Sequence, residues 1–409
     1  MNRYFLSYIL IPFIFLCSCS KENIGMQQGS ESDHIMFSVP EILLESEQET
    51  RSMLQGASLP VGSSFSVWGY CRAYAPGTIN LDNNSATSEW DIKKALCPPT
   101  LFTPNKLEVT VNANGCSYTD TQSGGTKAWL DGDDNIYSFA AMYPYEANGL
   151  NVSFKQQNGT SVDAPIITYT MPYSGEVTAD TYKNTPDVMV GFRKNHRKID
   201  GHVPFTFHHL MSALSVRVNN YSEYYDYDAD NNLQGTELKI HSIKLQGTFH
   251  KTIQVDLSTG GDYTFSDSYT ATYVLYEDED DDDGYSVPYI DDPETPEVDE
   301  TSVVLGEPVM LLCGKPGIDD PYGPGSKNQD TGIKLVLDYT FGGVRKTDVK
   351  FNLINPDLSF SPQVGVNYTF QLNWIGDGLV LLIMPSSNAQ WGDGEGDDSN
   401  TGNDDIIFE

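Results

Sequence analysis

The sequence predicts an all-β protein, on three observations. Asn, Thr, Ser, Gly and Tyr are abundant whereas Ala, Leu and Glu are sparse, a balance that favours short strands joined by turns. Sustained helical heptads are absent, and segments of strand length recur at a spacing of roughly ten residues. The 409 residues suit roughly two to three domains. Two sets of such segments therefore indicate two β-sandwiches or barrels in series.

Residues 1–18 have the features of a lipoprotein signal peptide. Arg3 precedes an apolar run of 13 residues, which is shorter than the roughly 20 that a membrane-spanning helix needs. The run ends in Leu16-Cys17-Ser18-Cys19, so Cys19 is expected to become the lipid-modified N-terminus and 19–33 a polar spacer. An ordinary signal peptide with incidental cysteines is the alternative.

The first domain is expected over 34–200. Ile35, Phe37 and Val39 alternate with more polar residues as in a half-buried strand, and Pro40 confines that strand to a sheet edge or ends it. Later alternation predicts strands over 65–72, 106–111, 136–143, 150–154, 166–169 and 187–192. The basic, polar stretch 193–202 interrupts the pattern and predicts the boundary.

The second domain is expected over 201–391. Its predicted strands are 204–208, 210–218, 240–245, 272–276, 303–313, 333–340, 349–353, 368–374 and 379–384. The last two form the clearest local prediction, a hairpin closed by the tight turn Gly376-Asp377-Gly378.

The chain is strongly acidic, with 24 Lys plus Arg against 57 Asp plus Glu and a net charge of −33. A surface of that sign repels phosphates, which excludes nucleic acid as a partner. The stretches 277–283, 291–300 and 392–409 hold 20 of these acids and no Lys or Arg. Such runs are typically solvated, so we expect an acidic insertion over 277–300 and an acidic tail over 392–409.

Four cysteines besides Cys17 and Cys19 allow three complete disulfide pairings, and the sequence does not choose among them. One local disulfide in the first domain and a set of buried thiols are both compatible with their spacing. No C-x-x-C pair indicates a zinc or redox site. These four are Cys71, Cys97, Cys116 and Cys313.

The chain carries none of the common local catalytic motifs, so we expect no enzyme. A glycosidase needs only two carboxylates about 5 to 10 Å apart, but no pair stands out among 57 acids. The adjacent His208 and His209 would face opposite sides of a strand and cannot share one metal from there. Both are expected to be structural.

One acidic segment, 226–237, has the ligand spacing of a calcium loop. Position 6 of the loop is Asn231 where Gly is usual, and the flanking residues have the character of strands and not helices. An acidic hairpin loop is therefore the favoured alternative to calcium, the one metal that the sequence offers. The candidate ligands are Asp226, Asp228, Asp230, Asn232 and Glu237.

Several motifs, taken in order, resemble those of Bacteroidetes fimbrillins, the subunits of type V pili, in particular the Mfa-like branch. After the lipobox and spacer come I-x-F-S, T-R-S and F-S-V-W-G-Y in the first hundred residues. Further matches are IYSFAAMYPY (136–145), TPDVMVG (185–191), FTFHHLMSALSVRV (205–218), SIKLQG (242–247) and GVNYTFQLNW (365–374). The resemblance covers nearly the whole chain after the signal.

The resemblance implies two transthyretin-like β-sandwiches in tandem, on a lipoprotein exposed at the outer membrane and incorporated into fimbriae. Cys19 matches the acylation site, and Arg51 matches the residue after which a trypsin-like protease cuts, leaving Ser52 first. Removal of 34–51 would strip a strand, whose place a strand of another subunit takes. The residues after Trp391 make a poor donor strand, so either 379–391 donates or the protein is a tip component.

We therefore expect a structural or tip subunit that mediates adhesion through a receptor the sequence does not identify. The alternative is a surface-anchored lipoprotein that binds a glycan or another ligand and never polymerises. Its 24 Tyr and 5 Trp could supply stacking platforms for sugars, although aromatic residues also fill strands.

Overall fold

The fold is built almost entirely of strands, which confirms the predicted all-β class. In the described part of the chain the helical elements are a four-residue helix, α1 (Ala179–Tyr182), and a 3-10 turn at Lys198–Asp200. Among the described residues no helix has the length and apolar character to cross a membrane. The computed structural model describes residues 33–42, 58–73, 101–104, 106–131, 135–157, 160–227, 233–257, 262–278, 283–290, 303–312, 333–352, 364–365, 367–376, 378–385 and 406–407.

The strands of these residues vary from two-residue edge pairs to a long hairpin. In chain order they are β1 (Glu41–Ile42), β2 (Ser64–Ala73), β3 (Leu107–Asn112), β4 (Gly115–Tyr118), β5 (Asn135–Tyr143), β6 (Leu150–Gln157), β7 (Thr160–Thr170), β8 (Gly175–Val177), β9 (Met189–His196), β10 (Thr206–His209), β11 (Ser212–Asn220), β12 (Glu223–Tyr227), β13 (Leu233–Gly235), β14 (Leu238–Asp256), β15 (Asp262–Glu277), β16 (Tyr285–Val287), β17 (Val303–Val304), β18 (Val309–Leu311), β19 (Lys334–Phe341), β20 (Val344–Asn352), β21 (Asn367–Ile375), β22 (Gly378–Pro385) and β23 (Ile406–Ile407).

Three larger sheets and one separate hairpin contain these strands. The first sheet has seven strands in the order β1-β10-β9-β5-β2-β3-β4. The second runs β20-β19-β14-β15-β8, with β16 and the β6–β7 hairpin also joined to it through β14. The third runs β17-β11-β21-β22-β23, with β18 on β11, and β12 pairs with β13 alone.

Two apolar cores lie on opposite faces of the seven-stranded sheet. Alternate residues of β5 show the division, because Ala140 and Met142 join the larger core while Phe139 and Ala141 join the smaller one. The larger core includes residues of all three large sheets. The smaller core is covered in part by the residues before β1.

Strands from both sides of residue 200 share sheets. β7 and β8 pair with β14 and β15, whereas β10 pairs with β9 in the first sheet. The basic stretch begins inside β9, where Lys194 and His196 are buried. The division at residue 200 and the tandem sandwich arrangement stay predictions.

The predicted C-terminal hairpin is confirmed. β21 and β22 pair antiparallel over eight residues, from Tyr368 opposite Pro385 to Ile375 opposite Gly378. Gly376 has φ +57°, a left-handed conformation that suits glycine in a tight turn. β21 also runs parallel to β11 over eight residue pairs, so the hairpin is an integral part of its sheet.

Candidate functional site

Residues 34–42, which we name the N-terminal segment, lie along the β10 edge of the seven-stranded sheet. The amide of Ser38 donates to the carbonyl of Val203 at 3.0 Å, and the amide of Val203 donates to the carbonyl of Met36 at 2.8 Å. Farther along, β1 pairs parallel with β10, with Glu41 opposite Thr206. The segment therefore occupies the hydrogen-bonding edge that β10 presents.

The same segment also contacts β4, at the opposite end of the sheet order. The amide of Ile35 donates to the carbonyl of Lys127 at 2.8 Å, nine positions after the end of β4. From β4, the Tyr118 hydroxyl donates to the carbonyl of Ile35 at 2.7 Å and the Cys116 thiol donates to the carbonyl of Ser38 at 3.3 Å. The N-terminal segment thus lies between the two ends of the sheet and bridges them.

Apolar side chains of the segment fill the groove beneath it. Ile35 and Phe37 are 0% and 1% exposed, and Ile42 is also buried. Burial of each is worth about 1.5–3 kcal/mol. The Phe37 ring has four aromatic neighbours with centroids 5.4–6.2 Å away: Phe102, Tyr118, Phe139 and Phe205. Phe37 is therefore the central side chain of this groove.

Burial makes the two side-chain donors of β4 harder to ionise. It raises the pKa of the Cys116 thiol to about 11, and it raises the pKa of the Tyr118 phenol to about 12 against the opposing effect of a backbone hydrogen bond from Lys127. At physiological pH both groups consequently remain protonated and able to donate to the segment.

A fimbrillin-like family profile matches residues 100–306, which is just over half of the chain. The chain belongs to the fimbrillin-like family. No curated protein sequence matches it. Membership in this family supports a fimbrial role and a location at the cell surface, and it agrees with the expectation that the protein is not an enzyme.

Several solved structures are similar to this fimbrillin-like protein, and three of them show the extent of the overall likeness. A fimbrial protein from Bacteroides vulgatus has a TM-score of 0.46 and 14% identity, covering 78% of this chain and 91% of its own. A proposed cell adhesion protein from Bacteroides uniformis has a TM-score of 0.43 and 14% identity, and the match covers 86% of this chain and 99% of that protein. A second proposed cell adhesion protein, from Bacteroides ovatus, has a TM-score of 0.41 and 14% identity, and the match covers 89% of this chain and 100% of that protein.

The N-terminal segment of the fimbrillin-like chain departs from the regular strand that its alternation predicts. Residues 35–39 are extended but make one isolated bridge, Phe37 with Val203, before β1 begins. Pro40 has no N–H to donate, and the carbonyl of Phe205 accepts from the amide of Glu41 instead, so the pairing is interrupted at Pro40. Its place beside β10 is at the end of the strand order, as expected, although Ile35 and Ser38 are also hydrogen-bonded from the side of β4.

The predicted acylation and cleavage positions, Cys19, Arg51 and Ser52, lie outside the described residues. Residues on either side of the proposed cleavage position are paired with each other: Glu41 forms a bridge with Ser58, and the amide of Leu59 donates to the carbonyl of Pro40. The roles of the three predicted residues stay predictions.

The calcium loop also stays a prediction. β12 and β13 pair antiparallel on either side of residues 228–232, so the flanks are strands, as expected, and not helices. Asp226 belongs to β12, and Glu237 is exposed and forms an ion pair with Lys239 at 3.2 Å. In the described part of the chain no three His, Cys, Asp or Glu side chains gather as metal ligands. The remaining candidates lie outside it: Asp228, Asp230 and Asn232.

His208 and His209 stand opposite Val190 and Met189 of β9. His209 bonds Asp187 through Nδ1 and Oδ1, 2.8 Å apart and both buried. Burial alone lowers the pKa of His209, but the neighbouring carboxylate outweighs it and raises that pKa. Asp187 was not identified from the sequence as the partner of His209. The one indication in the sequence is that Asp187 lies two residues before β9 begins.

The cysteines give no described disulfide. Cys71 on β2 and Cys116 on β4 are not joined to each other. Cys97 and Cys313 lie outside the described residues, so the pairings that involve them stay open.

Proposed function

We propose that this protein is a pilus subunit which assembles when its N-terminal segment is replaced by a strand from a second subunit. In this proposal Cys19 carries the lipid that anchors the precursor to the outer membrane, and a trypsin-like protease cuts after Arg51. The single observation that carries the proposal is the position of the segment, bridging β4 and β10 over an apolar groove.

Departure of the segment would leave two kinds of unsatisfied surface. The backbone groups of Val203 and Phe205 would lose their partners, and the aromatic pocket of Phe37 would open. An open edge next to an apolar groove binds an extended strand by β-augmentation, in which the backbone gives affinity and alternate side chains give register. The site is thus suited to one extended segment at a time.

Residues 392–403 are too polar for a donor strand, as expected, but the end of the tail, 404–408, matches this groove better than β22 does. β22 is held by β21 over eight residue pairs and would have to leave its own sheet to donate. The tail, by contrast, repeats the pattern D-x-I-x-F: Asp33, Ile35 and Phe37 at the N-terminus correspond to Asp404, Ile406 and Phe408 at the C-terminus. A spacing of two places the Ile and Phe side chains on one face of an extended strand, as the groove requires.

A tip position is the second candidate, and one contact favours it. Ile406 and Ile407 pair with Leu381 and Val380 of the same chain as β23. A subunit that keeps its tail there can accept a strand but cannot donate one, so it would end a filament.

The test is assembly of the full-length secreted protein after limited trypsin treatment. Wild type should acquire Ser52 as its N-terminus by mass spectrometry and form a ladder on gels run without boiling. Arg51→Ala should stay uncut and monomeric. Ile406→Asn/Phe408→Asn should be cut but form no ladder, while the matched surface variant Ile375→Asn, at a 49% exposed position, should behave as wild type.

Other outcomes select the competing functions. Uncut, acylated monomers that bind a polysaccharide would establish the tethered glycan-binding lipoprotein. Processed monomers that cap filaments of another subunit, without forming their own, would establish the tip position.

A further inference from the structure

β10 is a short strand that holds its place between two neighbours. The N-terminal segment pairs with it on one side, and β9 pairs with it on the other through two residue pairs. At Gly191 of β9 a Cβ atom would lie 2.8 Å from the carbonyl oxygen of Thr206, so the two strands approach closely because that residue is glycine. Once the segment leaves, β9 is the strand that retains β10.

A buried pair ties the C-terminal end of β10 to the chain before β9. Nδ1 of His209 and Oδ1 of Asp187 are 2.8 Å apart, with side chains 6% and 3% exposed. Beside them the amide of Leu210 donates to the carbonyl of Val188 at 2.8 Å. Buried partners of opposite charge hold a fixed geometry, and removal of one leaves the other without compensation.

The pair also sits where the chain passes from one sheet to another. After His209, Leu210 and Met211 are buried in the larger core, and β11 then begins in the sheet of β21 and β22. Phe205 and Phe207, just before, belong to the smaller core. Because the Asp187–His209 pair is fixed at this junction, it sets the position of β10 relative to β9.

We infer that the Asp187–His209 pair holds β10 on β9 when the N-terminal segment is absent, so that the vacated edge keeps the form that pairs with an incoming strand. This inference rests on the proposed strand exchange. Asp187 and His209 are positioning residues here, since they act through β10 and touch no incoming strand.

The strength of the Asp187–His209 interaction depends on pH, because His209 is charged only when it is protonated. Two titratable groups of the described residues interact with the pair. His208 lies beside it on β10, and burial and the charge of His209 lower its pKa. Tyr143 lies on β5, and burial and the charge of Asp187 raise its pKa. Protonated His209 gives an ion pair, and neutral His209 keeps a hydrogen bond alone. The raised pKa of His209 therefore keeps the stronger form to a higher pH than an ordinary histidine would, and alkaline pH weakens it.

The test is hydrogen exchange of the full chain, read by mass spectrometry on peptides over 203–211 and, for comparison, 367–375. Phe37→Asn places an amide in the aromatic pocket and releases the segment without cleavage, which faster exchange of 34–42 verifies. Ile35→Asn serves if that variant does not fold. With the segment released, the Val203 amide loses its partner and should exchange faster, whereas residues 208–210, which pair with β9 and the chain before it, should stay within about threefold of their original exchange rate.

Adding Asp187→Asn to the released form should accelerate exchange of 203–211 at least about tenfold and leave 367–375 unchanged. His209→Asn, whose amide can still donate to Asp187 but carries no charge, should lose part of the protection at neutral and acidic pH and should remove its decline above pH ~6.5, measured relative to 367–375. Asp348→Asn, which removes the acid of an exposed ion pair with Lys350, is the matched control and should change neither peptide.

Equal exchange of 203–211 with and without Asp187→Asn in the released form would overturn the inference. Equal acceleration of both peptides, or the same loss with the segment still bound, would also overturn it, because the pair would then support the fold in general. None of these readouts needs cleavage or polymers, so failure of the proposed assembly is a separate result.

Discussion

Tyr118 and Ile35 are joined by a buried hydrogen bond of 2.7 Å, from the phenol hydroxyl to the backbone carbonyl, across 83 positions of the chain. The same hydroxyl accepts the amide of Lys127 at 3.1 Å. One side chain on β4 therefore satisfies two backbone groups, one of them in the N-terminal segment.

Tyr118→Phe should lower the free energy of unfolding by about 1–3 kcal/mol, because it leaves the Ile35 carbonyl and the Lys127 amide without this partner. Urea denaturation of the unprocessed protein measures the change. Tyr285→Phe, at a residue 41% exposed, is the control and should cost less than about 0.5 kcal/mol. Equal effects of the two would show that the bond contributes nothing to stability.

Phe37→Ala should cost about 3–5 kcal/mol, since the ring is fully buried among four aromatic neighbours and its loss leaves a cavity. Denaturation again provides the measurement, with Val61→Ala, at a residue 69% exposed, as the control. A cost below about 1 kcal/mol would mean that the segment does not unfold together with the rest of the protein.

Cys116 should report departure of the segment. With the segment bound, the thiol is buried, donates to the carbonyl of Ser38 and has a pKa raised to about 11, so maleimide should label it slowly. After cleavage at Arg51 and loss of the segment, labelling should become at least about tenfold faster, as read on its peptide by mass spectrometry. Unchanged labelling after verified loss of the segment would contradict the assigned contact.

His209 and His196 should make the free energy of unfolding depend on pH in opposite ranges, His209 above and His196 below the ordinary histidine pKa. Partnership with Asp187 raises the pKa of His209 in spite of burial, so its contribution is complete below pH ~6.5 and is lost as pH rises through the raised value. Burial lowers the pKa of His196, so its folded form disfavours the proton and stability falls as pH drops below ~6.5.

Denaturation of wild type, His209→Asn and His196→Asn between pH ~5 and ~9 separates the two effects. The stability difference between wild type and His209→Asn should shrink toward alkaline pH. His196→Asn should instead flatten the acid side of the curve. A pH-independent difference for His209→Asn would refute the charged pair.

Much of the strand pattern follows from the sequence because local alternation reports burial. The hairpin of β21 and β22, which contains Phe370 and Leu381, was predictable because its buried positions alternate and glycine closes the turn. The long hairpin of β14 and β15 is predicted too short, since only 240–245 and 272–276 are expected as strands. The polar residues His250 and Lys251 obscure the alternation in the rest of β14.

Pairing between distant strands was not predictable in the same way. Residues 150–154 and 166–169 are correctly expected as strands, yet β7 pairs with β14 some eighty positions later. Nothing in local periodicity names a partner, since alternation fixes which face is buried and not which edge is joined. The Asp187–His209 contact has the same character: each residue is polar, and only the fold makes them neighbours.

The position of the N-terminal segment has a consequence for the order of folding. Ile35 leaves the ribosome before Lys127, and Phe37 before Val203, yet these later residues provide their backbone partners. Contacts so distant in sequence form slowly, because a long loop must close before they are made. The first part of the fold to be synthesised is therefore among the last to dock, onto a sheet whose other strands must already be assembled.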